Sequence, residues 1–325
     1  MDLALLQERA RIFREIRTFF DERGYLEADT PLLSPDLIPE SCLEVFETFR
    51  ISPPESRNQN TEALYLIPSP EIWMKKLIAR HRTNLYQICK CFRNGESSGF
   101  LHSPEFTMLE YYTMDANYRD SLTLTEQLFS HLLSPLHPSL SPPFERITMG
   151  DAFIRWAGFD LYEAAENGTL VTEARRLGLD PPPLLDTAAL YDLIFIHAVE
   201  PNLKSGKPVA LIDYPAFVPC LAKKNPNGRT VERWELYSNG IELANCYSEE
   251  TSPEEVRRFF ESEAAEKEKS ALIKHRVDHD YWKIFTGFPC SGVALGVDRL
   301  IMLLCGRSTI DGVLPFPMGS AAGSF

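Results

Sequence analysis

The sequence predicts an α+β fold in which antiparallel β-hairpins are flanked by helices. Two long hairpins are predicted, at 85–112 and 231–249, because each contains two stretches of strand character joined by a turn signal. A helix is predicted at 3–23 from apolar residues at helical spacing. Two more are predicted, at 71–82 after a helix-opening proline and at 253–275 from a long charged run. No repeat or linker-like stretch divides the chain, which favours one domain over residues 1–325.

The remaining elements fill the spaces between these hairpins and helices. They are a short strand at Tyr25–Ala28, a surface loop at 51–62, a helical insertion at about 119–205, and a glycine-containing strand at Gly292–Val297 that runs into a helix at Asp298–Leu304.

The composition is that of a globular protein and excludes several classes. Hydrophobic residues make up 44% and charged residues 24% of 325. No apolar run approaches the roughly 18 residues of a membrane span, and the first residues lack a signal pattern, so we expect a cytoplasmic protein. The net charge of −13 argues against broad nucleic-acid binding. Seven scattered cysteines indicate reduced thiols, and the Cys89-Lys90-Cys91 spacing disfavours a metal–thiolate site.

The first group of chemically suitable residues lies on the hairpin at 85–112. Arg93 ends its first strand, and Phe106, Glu110 and Tyr112 fall on one face of the return strand because side chains alternate there. Arginine can hold a phosphate or carboxylate, a ring can stack on a base, and a carboxylate can bind an ammonium. An ordinary amphipathic strand with its aromatic residue in the core would give the same spacing.

The second group lies on the hairpin at 231–249, where the Asn-Gly pair at 239–240 predicts a two-residue turn. With that turn, Tyr237 opposes Glu242 and Glu235 opposes Ala244, so Glu235 and Glu242 share a face. Two neighbouring carboxylates suit Mg²⁺, which binds a few carboxylate oxygens together with phosphates. The alternative is an exposed hairpin with two solvated acids.

The third group is the segment from Gly292 to Arg299. Its small residues allow a ligand to approach the backbone, and Arg299 at the start of a helix could reach a phosphate. A glycine pair alone is a weak signal, since tight strand–helix packing explains it equally well.

Taken together, these groups resemble the class II aminoacyl-tRNA synthetases, in particular the lysyl branch, over about residues 8 to 318. The resembling segments, in chain order, are Gly24, Tyr25 and Pro31; Phe92-Arg93-Asn94 with His102-Ser103-Pro104-Glu105-Phe106-Thr107-Met108-Leu109-Glu110; Ile241-Glu242-Leu243-Ala244-Asn245 with Glu249; and Gly296-Val297-Asp298-Arg299-Leu300. The resemblance implies the class II fold, an antiparallel sheet flanked by helices, and a homodimer formed through the first segment.

The resemblance also implies binding of ATP and Mg²⁺. The residues implied for ATP are Arg93, Glu96, His102, Phe106, Glu235, Glu242 and Arg299. Arg93 and Arg299 would be catalytic, because they would hold phosphates on which charge develops. Glu235 and Glu242 would hold the metal.

For the amino-acid substrate, the resemblance implies acidic groups at both ends of a lysine-like molecule. The residues implied are Ser69, Glu71, Glu110, Tyr112, Asn245, Glu249 and Ala294. A buried ammonium is costly unless it is paired, and an unfilled buried glutamate would penalise neutral amino acids. On a regular strand Asn245 would face away from Glu242, so a β-bulge is expected between them if both line one site.

Lysyl-tRNA synthetases carry an N-terminal barrel that reads the anticodon. No such barrel is expected in this chain, because the resemblance to the catalytic core already begins within about ten residues of Met1. The chain therefore resembles the elongation factor P lysine ligase family. That resemblance implies activation of (R)-β-lysine or lysine, transfer to a lysine of elongation factor P, and no role for tRNA or membrane. Ala294 would narrow the pocket near the substrate α-carbon; the alternative is that it simply packs well.

Three alternatives stay open at this level. A truncated synthetase would charge tRNA and would need a basic surface. A biosynthetic ligase of the asparagine synthetase type is disfavoured by Glu110 and Glu249, which suit a cationic substrate. A non-catalytic regulatory paralogue would be expected to lose Arg93, Arg299 or the pair of Glu235 and Glu242, and all four residues are present.

Overall fold

The structure is a computed structural model that describes residues 3–51, 61–95, 100–133, 140–204, 206–285 and 287–318. The fold is α+β, with mostly antiparallel strands flanked by helices, as predicted. Across these ranges, no helix combines the length and hydropathy that crossing a membrane requires.

The chain divides into two compact units. Unit 1 comprises Met1–Met114, Thr251–Phe288 and Ala294–Phe325, and unit 2 comprises Asp115–Glu250 and Pro289–Val293. The prediction of a single catalytic domain without an anticodon-binding domain stays a prediction.

Helices and strands alternate irregularly along the chain. The α-helices are α1 (Leu3–Asp21), α2 (Glu71–His81), α3 (Tyr118–Leu132), α4 (Met149–Ala152), α5 (Leu161–Glu166), α6 (Leu170–Arg176), α7 (Thr187–Ile194), α8 (Pro253–Ser270) and α9 (Val297–Leu304). The strands are β1 (Leu26–Glu27), β2 (Leu33–Ser34), β3 (Phe46–Ile51), β4 (Thr61–Leu66), β5 (Leu85–Phe92), β6 (Glu105–Met114), β7 (Glu145–Thr148), β8 (Val209–Pro215), β9 (Thr230–Ser238), β10 (Ile241–Ser248) and β11 (Cys290–Gly296).

In unit 1, the predicted hairpin at 85–112 is confirmed. Strands β5 and β6 pair antiparallel from Leu85↔Tyr112 to Phe92↔Glu105, and β1 pairs parallel with β5. A separate three-stranded sheet has the order β2–β4–β3. The predicted loop at 51–62 is shorter than expected, because β3 includes Ile51 and β4 begins at Thr61; residues 52–60 lie outside the described ranges.

Helix α1 confirms the first predicted helix. Ile12, Ile16 and Phe19 recur at helical spacing and are fully buried. The backbone of Gly24 has φ of +74°, a left-handed conformation that glycine adopts without strain just after a helix. The helix therefore covers the β5–β6 hairpin with its apolar side, where the Phe20 ring stacks on Tyr86 at 4.9 Å.

Helix α8 ends at Ser270, five residues earlier than predicted, and is less solvated than its charge suggested. Its N-terminus is capped by Ser252, whose Oγ accepts a hydrogen bond from the Glu255 amide. Val256 and Phe260 are buried, and so is Lys267, 4% exposed.

In unit 2, β8, β9 and β10 form consecutive antiparallel pairs and β7 pairs parallel with β8. The predicted helical insertion at about 119–205 is wrong at Glu145–Thr148, which is strand β7. Four residues are too short to show an alternating pattern, so pairing with β8 decides the conformation there. The short helices that follow pack their apolar residues into a core that includes Met149, Phe153 and Tyr191.

The predicted Asn-Gly turn between β9 and β10 is confirmed. Asn239 and Gly240 both have positive φ, 53° and 76°, as a type I′ turn requires. This turn sets the starting register of the hairpin, Ile241↔Ser238 and Glu242↔Tyr237.

Candidate active site

The β5–β6 hairpin of unit 1 brings four of the predicted residues together in two contacts. The Tyr112 hydroxyl donates a 2.7 Å hydrogen bond to Glu110 Oε1, so both side chains lie on the same face of β6, as predicted. The Arg93 guanidinium lies over the Phe106 ring, 5.3 Å from its centroid. A cation and an aromatic plane are thus adjacent at one end of the hairpin and a carboxylate lies further along.

Glu110 is a buried acid, only 3% exposed. Its Oε2 atom has no hydrogen-bond partner among the residues that the structure describes. Burial raises the pKa of this carboxyl well above its ordinary value, and the nearby Glu71 raises it further. Such a group is costly in the ligand-free protein and would be stabilised by a bound cation.

The start of α2 carries two further predicted residues. Ser69 is partly exposed just before the helix, and Glu71 is its first residue. Glu71 Oε1 accepts a 2.5 Å hydrogen bond from Lys75 Nζ, and the Lys75 side chain is 1% exposed. Sequence reasoning missed Lys75, although its i,i+4 spacing from a glutamate was the available signal.

Glu40 is a second residue that sequence reasoning missed. Burial raises the pKa of its carboxyl to about 7, with a further contribution from the negative charge of Glu71, while Arg93 and Lys267 act in the opposite direction. Its backbone carbonyl accepts a 3.0 Å hydrogen bond from Lys267 Nζ. Glu40 lies in a loop without periodicity, so no sequence pattern could have indicated it.

Helix α9 carries the predicted Arg299 in its first turn. Arg299 Nε donates a 3.2 Å hydrogen bond to the Leu101 carbonyl, which precedes His102. The neighbouring Asp298 is 1% exposed, accepts a 2.6 Å hydrogen bond from the Thr107 amide and forms a 2.6 Å ion pair with Arg9. The segment 296–300 is therefore joined to β6 through Asp298.

Two further predicted residues of unit 1 are partly exposed. His102 is partly exposed in an isolated bridge position before β6. Ala294 is partly exposed on β11. Glu96 lies outside the described residues.

In unit 2, the register of β9 and β10 changes partway along the hairpin. Glu242 opposes Tyr237, as predicted, but a bulge lies between Glu242 and Ala244. The predicted pairing of Glu235 with Ala244 is therefore wrong, because the extra residue shifts Asn245 opposite Glu235. The bulge that the parity argument required is confirmed.

The bulge places Asn245 on the same face as Glu235, where a third side chain joins them. Arg233 Nε donates a 3.2 Å hydrogen bond to Asn245 Oδ1, and Arg233 Nη2 donates a 2.5 Å hydrogen bond to Glu235 Oε1. Arg233 was also missed by sequence reasoning, although its period-two spacing from Glu235 was a usable signal.

The hydrogen bonds that Glu235 accepts determine which of its oxygens could bind the predicted Mg²⁺. Glu235 Oε2 accepts hydrogen bonds from the hydroxyls of Tyr214 at 2.6 Å and Tyr237 at 2.7 Å, and Oε1 accepts one from Arg233, so Oε1 keeps one lone pair for a further partner. Glu242 lies opposite Tyr237, and its negative charge helps to raise the pKa of Tyr237, after burial and Glu235.

One oxygen from each glutamate fits Mg²⁺, which takes most of its ligands from phosphates and water. The described residues contain no group of three or more His, Cys, Asp or Glu side chains arranged to hold a metal by themselves. The geometry is thus suited to a metal that arrives with a phosphate ligand.

The last predicted residue of unit 2 is Glu249, directly after β10. Glu249 is 3% exposed, and its amide donates a 2.9 Å hydrogen bond to the Cys290 carbonyl. This is a second buried acid of the kind that a cationic substrate requires.

Comparison with known proteins agrees with this arrangement. The family model described as class II tRNA synthetases (D, K and N) matches residues 3–320. A relative from Vibrio atlanticus (strain LGP32), named elongation factor P–(R)-β-lysine ligase, is 38% identical over 317 residues, which cover 96% of this chain and 95% of the relative. Relatives of the same name from Avibacterium paragallinarum and Vibrio cholerae are each 36% identical, over 97% and 98% of this chain and 96% and 97% of their own. The chain therefore belongs to the class II tRNA synthetases of the D, K and N group, and within them to the family of the elongation factor P–(R)-β-lysine ligases.

Proposed function

We propose that the chain is an ATP-dependent ligase that activates (R)-β-lysine, or lysine, and transfers it to a lysine side chain of elongation factor P. The name and the nearly full-length match of the relatives support this activity. The single structural observation that carries it is Glu110, a buried carboxylate with an unpartnered Oε2 among the described residues. An ammonium group is the partner that such an acid lacks.

In the first step, a substrate carboxylate oxygen attacks the α-phosphorus of ATP, and the bond to pyrophosphate breaks. Arg93 would hold the α-phosphate and the substrate carboxylate, while Phe106 would stack on adenine. The contact between the Arg93 guanidinium and the Phe106 ring supports these adjacent roles. Arg299, His102 and Glu96 would bind the rest of the nucleotide.

Mg²⁺, when bound, would neutralise phosphate charge, and Glu235 and Glu242 would hold it. Because no protein nucleophile is required, the residues act by positioning the reactants and stabilising charge.

The substrate's two amines would be taken by acidic side chains. Glu71 and Glu110, beside Ser69, would bind the amine nearer the carboxylate, and Glu249 with Tyr112 would bind the distant ammonium. The burial of Glu110 and Glu249 supports selection of a doubly cationic substrate. Asn245 would bind the carboxylate, and Ala294 would favour a substrate without an α-amino group.

In the second step, the deprotonated amine of a lysine on elongation factor P attacks the acyl carbon of the adenylate. An amide bond forms, the acyl–phosphate bond breaks and AMP leaves; the amine proton passes to phosphate or solvent. The proposal includes a homodimer that acts in the cytoplasm. The net charge of −13 supports a protein acceptor over tRNA.

The test is a mass measurement of the acceptor. The enzyme is incubated with ATP, Mg²⁺, (R)-β-lysine and elongation factor P, and the factor is expected to gain the mass of one lysine minus water. Elongation factor P with its acceptor lysine replaced is the control and should gain nothing. Unchanged mass of the intact factor, with tRNA acylated instead, would reject the proposal in favour of a tRNA-charging enzyme.

A variant tests the role of Arg93 in the first step. Arg93→Ala should abolish ATP–pyrophosphate exchange, because the α-phosphate loses its cation. Arg258→Ala is the matched control, since Arg258 forms an exposed ion pair with Glu255. Near-normal exchange by Arg93→Ala would remove Arg93 from the mechanism.

A further inference from the structure

Arg233 is a buried cation on β9 for which the proposed reaction has no assigned role. Its side chain is 17% exposed and pairs with Glu235, 12% exposed. The guanidinium also lies over the Tyr214 ring, 4.6 Å from the centroid. Because the guanidinium is already paired, Arg233 can contribute to the reaction only through the side chains that it contacts.

The bulge in β10 explains why Arg233 meets Asn245. Arg233 is paired with Tyr247 and Glu235 with Asn245, so Arg233 and Asn245 are diagonal neighbours on one face. If residues 242–245 instead formed a regular ladder, Asn245 would pair with Trp234 and lie on the opposite face. The hydrogen bond of 3.2 Å between Arg233 Nε and Asn245 Oδ1 depends on this shift.

The chemistry of arginine determines which end of the Asn245 amide faces it. Arginine has five N–H donors and no acceptor, so only the oxygen of the amide can be its partner. The Asn245 NH₂ group must then point away from Arg233, and within the described parts of the chain no residue accepts a hydrogen bond from it. An N–H donor of this NH₂ group is then available to a ligand that accepts hydrogen bonds, such as a carboxylate.

Arg233 is itself held from its other side. Its Nη2 donates to Glu235 Oε1 at 2.5 Å, and Glu235 Oε2 accepts from the Tyr214 and Tyr237 hydroxyls. The chain of contacts runs from two tyrosines through Glu235 and Arg233 to Asn245. Each member fixes the orientation of the next, so little conformational freedom remains to be lost when a ligand binds.

We infer that Arg233 is a positioning residue that orients the Asn245 amide so that its NH₂ group can donate a hydrogen bond to the substrate carboxylate. The inference rests on the proposed function, in which Asn245 binds that carboxylate. A direct contact of Arg233 with the phosphates of ATP is the competing role. It is disfavoured because the guanidinium is already bound by Glu235 and Asn245 and covers Tyr214.

The experiment is a double-mutant cycle measured by ATP–pyrophosphate exchange, with separate KM values for (R)-β-lysine and ATP. Arg233→Met and Asn245→Ala should each raise the KM for (R)-β-lysine about tenfold, the loss of one hydrogen bond to a charged group. The KM for ATP should change less than about twofold, because Glu235, the proposed metal ligand, keeps its hydrogen bonds from the Tyr214 and Tyr237 hydroxyls. The double variant should be no worse than the more affected single variant, because Arg233 acts through Asn245.

Two further variants keep the test decisive. Arg233→Lys retains a donor and the positive charge but not the forked pair of donors. It should therefore restore part of the affinity for (R)-β-lysine that Arg233→Met loses. If Arg233→Met does not fold, Arg233→Lys takes its place in the cycle. Arg229→Met is the matched control, because Arg229 forms an exposed ion pair with Glu166 at 2.7 Å in the same unit.

Independent, multiplicative effects of the two substitutions on the (R)-β-lysine KM would overturn the inference. A KM for ATP that rises as much as that for (R)-β-lysine would also overturn it, since it would indicate phosphate contact. These results differ from failure of the proposed function, in which the unmodified enzyme would show no exchange with (R)-β-lysine or lysine.

Discussion

Glu110 and Arg233 are ionisable side chains that are each largely removed from solvent. Protein interiors exclude ionised groups unless partners compensate for the lost water. Arg233 is compensated by Glu235 and by the Asn245 amide. Glu110 receives only the Tyr112 hydroxyl on one oxygen among the described residues. Arg233 is therefore compensated in the ligand-free protein, whereas Glu110 Oε2 lacks a partner that a cationic ligand could supply.

Replacing Glu110 with glutamine should therefore separate stability from substrate binding. Glu110→Gln is expected to raise the free energy of unfolding of the ligand-free protein by about 1–3 kcal/mol near pH 8, since an unsatisfied buried charge is removed. The same change should abolish (R)-β-lysine-dependent exchange. Thermal unfolding and exchange measured on one preparation check both effects, and a loss of stability would contradict the buried-charge argument.

The raised pKa of the Glu40 carboxyl predicts that the free energy of unfolding depends on pH near neutrality. The pKa of its carboxyl is raised from 4.5 to about 7 by burial and by Glu71. Its contribution to stability is thus fully present below about pH 4.5 and is lost as the pH rises through about 7. Glu40→Gln should flatten this part of the curve of unfolding free energy against pH. An unchanged curve between pH 6 and 8 would mean that Glu40 is solvated or paired.

The secondary structure elements differ in how far the sequence could predict them. The hairpins and α1 were predictable, because alternation, helical spacing and the Asn-Gly turn are local signals that agree with the tertiary structure. Strand β7 was not, since its four residues become a strand only through pairing with β8. The bulge in β10 was inferred from function rather than from any local signal.

The same distinction applies to the candidate site. Residues in recurring motifs, such as Arg93 and Phe106, were predictable, and the structure places them in contact. Glu40 and Arg233 were missed because their significance depends on neighbours from other parts of the chain. Sequence patterns report spacing along one element, whereas a buried electrostatic network is defined across several.

The turn between β9 and β10 predicts a stability effect at the scale of one element. Gly240→Ala should lower the free energy of unfolding by about 1–2 kcal/mol, because alanine is strained at φ of +76°. Its Cβ would also lie 2.9 Å from Lys204 Cγ. Gly206→Ala is the matched control, since nothing lies within 4 Å of an added Cβ there. Equal urea midpoints for the two variants would contradict the assigned turn.

At the scale of the whole chain, contacts between distant segments hold each unit together. Within unit 1, Arg9 of α1 pairs with Asp298 of α9 at 2.6 Å, and Asp298 in turn accepts the Thr107 amide of β6. Three segments far apart in sequence meet at one buried carboxylate. Such a junction couples the folding of the first and last helices of the unit to the central hairpin.

Breaking this junction should destabilise the protein far more than breaking a surface pair. Arg9→Met is expected to cost about 3–5 kcal/mol, because Asp298 would be left buried without its cation. Arg11→Met, which removes a pair with Glu8 whose side chains are 41% and 40% exposed, should cost about 0–1 kcal/mol. Chemical denaturation of both variants checks the difference, and similar losses would show that the Arg9 pair is not a buried one.

The bulge at Leu243 makes the length of β10 as important as its composition. Deletion of Leu243 would remove the bulge and leave Asn245 opposite Glu235, so Asn245 would stay beside Arg233. A residue inserted after Ala244 would instead place Asn245 opposite Trp234, and every side chain that follows on the strand would turn to the other face. The insertion should therefore abolish exchange, whereas deletion of residue 243 should leave measurable activity.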